Sequence, residues 1–304
     1  MRKLKIKFVD FWGGFQPIES AFWRYLTNYF ELEYSEQPEI IFYSVFGNEY
    51  LNYDCYKIFY TGENVRPNFY ECDLAISFDY NKNWRNLRIP LYTRITDLTK
   101  LTSKIKNETV YTPKTKFCCM VVSNSECKFR NDFFEKLSEY KKVDSGGRYL
   151  NNIGFTVENK IEFIKDYKFV ISFENSEYPG YTTEKIVEPM LCGSIPIYWG
   201  NPLIEKDFNT SSFVNFYDYN SVEKVIERII EIDNNDLLFY SIQKMSNFKN
   251  DSLMDFQDFD KASKYLSNSV DMVILEKPIN KRLIGIIYKK IIKRALKLFT
   301  KFKK

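Results

Sequence analysis

The stretch from Phe169 to Gly200, FVISFENSEYPGYTTEKIVEPMLCGSIPIYWG, constrains the fold of this chain more than any other. Phe169 to Phe173 is a short apolar, β-branched run and reads as a buried strand. Glu174 to Tyr181 gathers Asn, Ser, Pro and Gly and reads as a loop. Thr182 or Thr183 can cap a helix that starts near Glu184, and Gly193 suits the residue just past its end. Pro189 removes a hydrogen bond inside that helix, which predicts a bent or short one. Ile195 to Trp199 is a second apolar strand, closed by Gly200. A strand-helix-strand crossover builds a parallel sheet, so the chain is α/β.

The polar residues of this crossover fall at one end. Glu174, Asn175, Tyr181, Glu184 and Lys185 lie at the carboxyl end of the first strand or in the first helical turn. Open α/β sheets bind ligands there. A helix start offers free N–H groups and partial positive charge, and Lys185 adds a full one, which suits a phosphate or pyrophosphate. Glu184 suits the hydroxyls of a sugar or ribose. Spacing alone fits an ordinary crossover with polar loop residues as well.

Taken whole, ENSEYPGYTTEK followed by CGSIPIYWG resembles the donor-site signature of the α-1,3/4-fucosyltransferases, glycosyltransferase family 10. That pattern is F-E-N, a short loop, Y-x-T-E-K, a helix, then G-x-x-P-[IV]-x-x-G. The match is ungapped and far more specific than a lone glycine-rich loop. The resemblance spans about residues 1–265. It implies the GT-B architecture, two Rossmann-like domains facing an interdomain cleft.

Composition narrows the chemistry. The 304 residues include no His, so a catalytic base must be Asp, Glu, Lys, Tyr or Cys. The six cysteines include no C-x-x-C pair, which argues against zinc or thioredoxin-like chemistry, and Cys118, Cys119 and Cys192 read as packing residues. The alternation in MRKLKIKFVDFW does not suit a signal peptide, and no apolar run reaches the ~20 residues of a spanning helix. A cytoplasmic, reducing setting is expected. Residues 281–304 hold ten of the 44 Lys and Arg and no acidic residue, which leaves 34 basic against 40 acidic elsewhere. A mildly acidic body does not suit nucleic acid.

In the N-terminal half, Lys3 to Val9 reads as a strand and DFWGGF as a turn. Pro17 to Phe30 reads as a helix with Pro in its first turn. Strands are expected at Glu31 to Tyr34, Ile40 to Phe46, Lys57 to Thr61 and Leu74 to Phe78. The strand ending at Thr61 runs into Gly62-Glu63-Asn64. By itself Glu63 reads as a turn residue. FYTGENVRPNF, however, is similar to a bacterial fucosyltransferase segment whose Glu is the general base, and the resemblance implies that role for Glu63.

In the C-terminal half, strand Lys116 to Val122, turn Ser123-Asn124-Ser125 and helix Phe129 to Tyr140 follow one another. Arg130 at the helix start is either a solvated surface residue or a fixed positive fork for a diphosphate. The family pattern implies the second, with Arg148 in the glycine-rich turn DSGGRY as a weaker alternative. Helices are expected at Val157 to Tyr167, Ser221 to Ile232 and about Asp236 to Asn247, with a strand at Phe213 to Tyr217. Asp258-Phe259-Asp260 matches the metal-binding D-x-D formally. It falls in a helical stretch where i and i+2 share no face, so no catalytic metal is expected. The tail places Ile284, Ile287, Tyr288, Ile291, Ala295, Leu298 and Phe302 on one face and Lys and Arg on the other, a basic amphipathic helix for an anionic membrane surface or a partner.

These readings give an N-terminal acceptor-side domain over 1–100, a connection over 101–115, a GDP-fucose-binding domain over 116–265 and a C-terminal segment over 266–304. The resemblance implies an inverting transfer of L-fucose from GDP-β-L-fucose to a 3-OH, or 4-OH, of N-acetylglucosamine or glucose, as in Lewis-type surface glycans. Glu63 would be the base; Arg130, Asn175, Tyr181, Glu184 and Lys185 would hold the donor without metal or cofactor. The enzyme would lie on the cytoplasmic face of the inner membrane through 281–304. The competing readings are a transferase for another sugar nucleotide and a non-catalytic, membrane-associated glycan-binding protein.

Overall fold

A computed structural model describes residues 1–94, 98–102, 113–219, 221–250 and 253–275. The tail at 281–304 therefore lies outside the described residues, as does most of the expected connection. The described residues divide into two compact units, one of 1–89 together with those from 258 on, the other of those within 90–257.

The first unit is a six-stranded parallel sheet. Its strands are β1 (Arg2–Val9), β2 (Phe30–Tyr34), β3 (Ile40–Tyr43), β4 (Tyr56–Tyr60), β5 (Leu74–Ser77) and β6 (Asn86–Arg88). They lie in the order β2-β1-β3-β4-β5-β6. Period-two alternation splits their side chains between two faces. Leu4, Ile6, Phe8, Ile40, Phe42, Ile58 and Tyr60 enter one core, and Val9, Ile41, Tyr43 and Phe59 the other. Helix α1 (Ala21–Thr27) is shorter than the 17–30 expected. Ser20 caps it through the N–H of Trp23, and Pro17 belongs to the turn before, where its carbonyl accepts from Ser20.

The second unit carries five parallel strands. These are β7 (Lys116–Met120), β8 (Val143–Ser145), β9 (Tyr167–Phe173), β10 (Ile195–Trp199) and β11 (Val214–Asn215), in the order β11-β10-β9-β7-β8. Its helices are α2 (Lys128–Tyr140), α3 (Lys160–Ile164), α4 (Glu184–Leu191), α5 (Val222–Asp233) and α6 (Asp236–Lys244). The crossover read from Phe169 to Gly200 is β9-α4-β10, with five paired positions from Phe169↔Ile195 to Phe173↔Trp199. α4 is short, as Pro189 predicts, and Gly193 follows it at φ +67°. In both units the third strand returns past the first, so a topological switch point falls between β1 and β3 and again between β7 and β9.

The last described helix, α7 (Phe259–Leu275), returns to the first unit. Ala262, Leu266, Val270 and Val273 repeat at helical spacing and enter the core of β1, β3 and α1. Ser263 and Tyr56 stitch the helix down through the carbonyl of Tyr25 and the carbonyl of Ile274. The units thus divide at 89/90 and 257/258 rather than at 100 and 265. Tyr92, Leu98 and Leu101 already pack on Ile186, Val187 and Met190 of α4. We expect Leu266→Ala to lower the unfolding free energy by about 2–5 kcal/mol. Leu237→Ala, at a side chain 85% exposed, should cost under about 0.5 kcal/mol. Urea midpoints at constant m measure both.

Candidate active site

Polar side chains of the second unit converge at the β7/β9 switch point. Arg130, in the first turn of α2, is fully buried rather than solvated. Its Nη2 donates to the Asn124 carbonyl in the turn after β7 at 2.6 Å. Its Nη1 donates to Asn175 Oδ1 at 2.9 Å and reaches the Phe173 carbonyl at 3.4 Å. The Nε is buried with no hydrogen-bond partner among the described residues. Burial pulls the guanidinium below its ordinary range, and the nearby Glu174 carboxylate opposes that.

Glu174, the first residue after β9, is also fully buried. Its carboxylate accepts from the N–H and hydroxyl of Thr183, both at 2.7 Å, and from Lys185 Nζ at 3.2 Å. Thr183 is the N-cap of α4, yet its hydroxyl turns to Glu174 and makes no capping bond. No side chain of its own cap thus covers the first turn of α4. Lys185 also lies 3.5 Å from Glu184. Burial alone would lower Lys185, but Glu174 and Glu184 hold it well above the ordinary lysine range. Burial raises Glu174 despite Lys185 beside it. Glu184, though buried enough to rise, is drawn below its usual range by Lys185 and Lys160.

The loop between β9 and α4 is fixed from below. Gly200, at φ +147°, leaves no room for a Cβ, which would stand 2.4 Å from Glu174 Cγ. Asn201 is fully buried and accepts from the N–H groups of Gly180 and Leu203 while donating to Thr182 Oγ1. Tyr198 donates its hydroxyl to the Tyr181 carbonyl, and Tyr181 is itself buried. Sequence reading did not single out Asn201. Its one signal is a side-chain amide directly after a strand-ending glycine.

Glu63 belongs to the first unit, three residues past the end of β4, and is exposed. Its loop is held by Thr61, whose hydroxyl donates to the Glu63 carbonyl and accepts from the Glu63 N–H. Arg66 extends the support, donating to Asn64 Oδ1 at 3.1 Å, pairing with Asp79 at 3.7 Å and lying over the Phe78 ring. Arg148 is exposed on the turn after β8. Asp258 caps α7 through the Lys261 N–H at 3.0 Å, so the formal D-x-D spans a helix start.

Two family models match consecutive parts of the chain: the alpha-(1,3)-fucosyltransferase FucT N-terminal domain over residues 6–95, and the glycosyltransferase family 10 (fucosyltransferase) C-terminal model over 111–258. The chain belongs to glycosyltransferase family 10. It is 33% identical over 269 residues to alpha-(1,3)-fucosyltransferase FucT of Helicobacter pylori, covering 74% of this chain and 56% of that one. The chain thus spans from about a third to just over half of the length of the curated relatives it matches. A solved alpha1,3-fucosyltransferase with GDP-fucose superposes with a TM-score of 0.74 at 26% identity, covering 92% of this chain and 93% of the other. One with GDP gives 0.75 at 27%, covering 92% of each.

Family membership gives the signature residues a common setting, and the geometry here adds the one they depend on. Glu174→Gln keeps the volume but turns an amide toward Thr183 and Lys185, leaving a buried ammonium short of a partner. We expect a loss of about 3 kcal/mol in unfolding free energy. Gly200→Ala should reproduce the loss by displacing the same carboxylate. Thermal and urea unfolding of the two variants beside the parent measure it.

Proposed function

We propose that this chain is an inverting fucosyltransferase that moves L-fucose from GDP-β-L-fucose to the 3-OH, or 4-OH, of N-acetylglucosamine or glucose in a glycan acceptor. The observation that carries the reading is the switch point of the second unit, where a buried arginine with an unspent donor, a lysine and the open start of α4 come together. That grouping suits a diphosphate. Relatives solved with GDP-fucose and with GDP support the donor.

On this reading Glu63 takes the proton from the acceptor hydroxyl as its oxygen bonds to the anomeric carbon. The bond from that carbon to the β-phosphate oxygen breaks in the same displacement, and the electron pair leaves with GDP. A β-linked donor then yields an α-linked product. Arg130, Lys185 and the α4 start stabilise the charge gathering on the departing diphosphate, so no metal is required. Asn175, Tyr181 and Glu184 orient the nucleotide sugar, with Glu184 accepting from hydroxyls.

Calorimetry with GDP, UDP and ADP, with and without EDTA, tests the donor. Selective GDP binding that survives EDTA is expected; preference for another nucleotide would reassign the sugar. Glu63→Gln should lower kcat by about 10²-fold or more with GDP affinity retained, whereas a non-catalytic glycan binder would lose nothing. The reading also puts the enzyme on the cytoplasmic face of the inner membrane through 281–304. Deleting those residues should release it from anionic vesicles, in a flotation assay, while transfer to a soluble acceptor continues.

A further inference from the structure

The carboxyl ends of three neighbouring strands in the first unit carry an apolar surface that the chemistry above does not use. β1, β3 and β4 lie side by side. Trp12 follows β1 and is 40% exposed, Phe46 follows β3 at 54%, and Val65 follows β4 at 42%. Exposed apolar residues are ordinary when scattered. These three crown one sheet edge, with Glu63 on the same loop as Val65.

The surface is built. Trp12 meets Phe15 edge-on at 5.0 Å between ring centres and lies 5.6 Å from Phe11. Phe11 in turn lies parallel to Tyr60, the last residue of β4, at 6.0 Å. The Phe46 N–H donates to the Asp10 carbonyl at 3.1 Å. Asp10 takes φ 60°, and its carboxylate accepts from the N–H groups of Glu49 and Tyr50 at 2.8 and 2.9 Å. Asp10 thereby ties the loop after β1 to the loop after β3, with its charge directed at those N–H groups. Gly13 and Gly14 have nothing within 4 Å of where a Cβ would stand, so space beside Trp12 is open.

From β1 to β4 this edge is about 10 Å wide. A pyranose ring has an apolar face of C–H groups and a rim of hydroxyls. Exposed aromatic rings beside the Glu63 carboxylate suit that shape, the rings taking the C–H face by dispersion and the carboxylate one hydroxyl.

We propose that Trp12 and Phe46 form a platform on which an acceptor sugar lies, with the reacting hydroxyl toward Glu63. The proposal rests on the fucosyl-transfer reading and adds the acceptor subsite to it. The probe is a disaccharide of galactose and N-acetylglucosamine, used with the full chain and saturating GDP-fucose. Trp12→Ala and Phe46→Ala should each raise the acceptor KM roughly ten-fold, as truncation of an aromatic anchor does. Trp12→Phe should recover most of that loss. Tyr70→Ala removes an exposed ring ahead of β5, at the amino ends of the strands, and should leave KM unchanged. A cooperative urea transition with the parent's m value checks that each variant is folded. If Trp12→Ala does not fold, Phe46→Ala and saturation-transfer NMR from the aromatic protons to sugar C–H groups carry the test. An acceptor KM unmoved by Trp12→Ala and Phe46→Ala, or moved equally by Tyr70→Ala, overturns the platform. If the parent neither binds GDP nor transfers fucose, the fucosyl-transfer reading fails by itself. Saturation transfer to the disaccharide, lost in Phe46→Ala, would still support the platform, and its absence would sink it.

Discussion

A carboxylate without access to water sits beneath the start of α4, and the edge of the second sheet is arranged around it. Glu174 satisfies itself with the Thr183 N–H, the Thr183 hydroxyl and Lys185. Each bond has a consequence. Taking the Thr183 hydroxyl removes the usual cap from α4, so the N-cap side chain does not occupy the helix start. Taking Lys185 fixes its ammonium beside that start and keeps it charged. Bringing the chain close enough requires Gly200, where any side chain would strike Glu174. A buried ion pair is weak evidence for stability, because desolvation offsets much of the attraction. Here its value lies in orientation.

The sequence foretold this edge unevenly. The β9-α4-β10 crossover was readable because its signals are dense: two apolar β-branched runs, a loop of Asn, Ser, Pro and Gly, and a glycine at the helix end. Phe169 pairs with Ile195 as a parallel crossover requires. β6 and β8 escaped because three-residue strands show too little alternation to read. α1 was overextended because Ile18 and Tyr29 continue the apolar period while both are exposed. The return of α7 to the first unit was not readable at all. Ala262, Leu266, Val270 and Val273 announce a buried face, but periodicity does not say which sheet receives it.

The two switch points show how one strand order serves different chemistry. At β7/β9 two buried polar side chains hold the loops, Arg130 bonding to Asn124 and Asn175 and Glu174 to Thr183 and Lys185. At β1/β3 Asp10 spends its carboxylate closing the backbone, and the exposed residues beside it include the rings of Trp12 and Phe46. The strand order brings loops together at an edge, and the residues in those loops decide what can bind.

Arg130 carries the strongest physical argument that the second edge receives an anion. Among the described residues its hydrogen bonds run to two carbonyls and an amide, none of them ionised. Burying a guanidinium without a directly bonded carboxylate is costly, and a buried Nε without a partner adds to the cost. Glu174 lies near enough to moderate the charge but is engaged with Thr183 and Lys185. A structural arginine would be expected to direct its fork at that carboxylate. Arg130 instead holds the loops after β7 and β9 and keeps part of its donor set unspent, which on the proposed reading an incoming diphosphate completes.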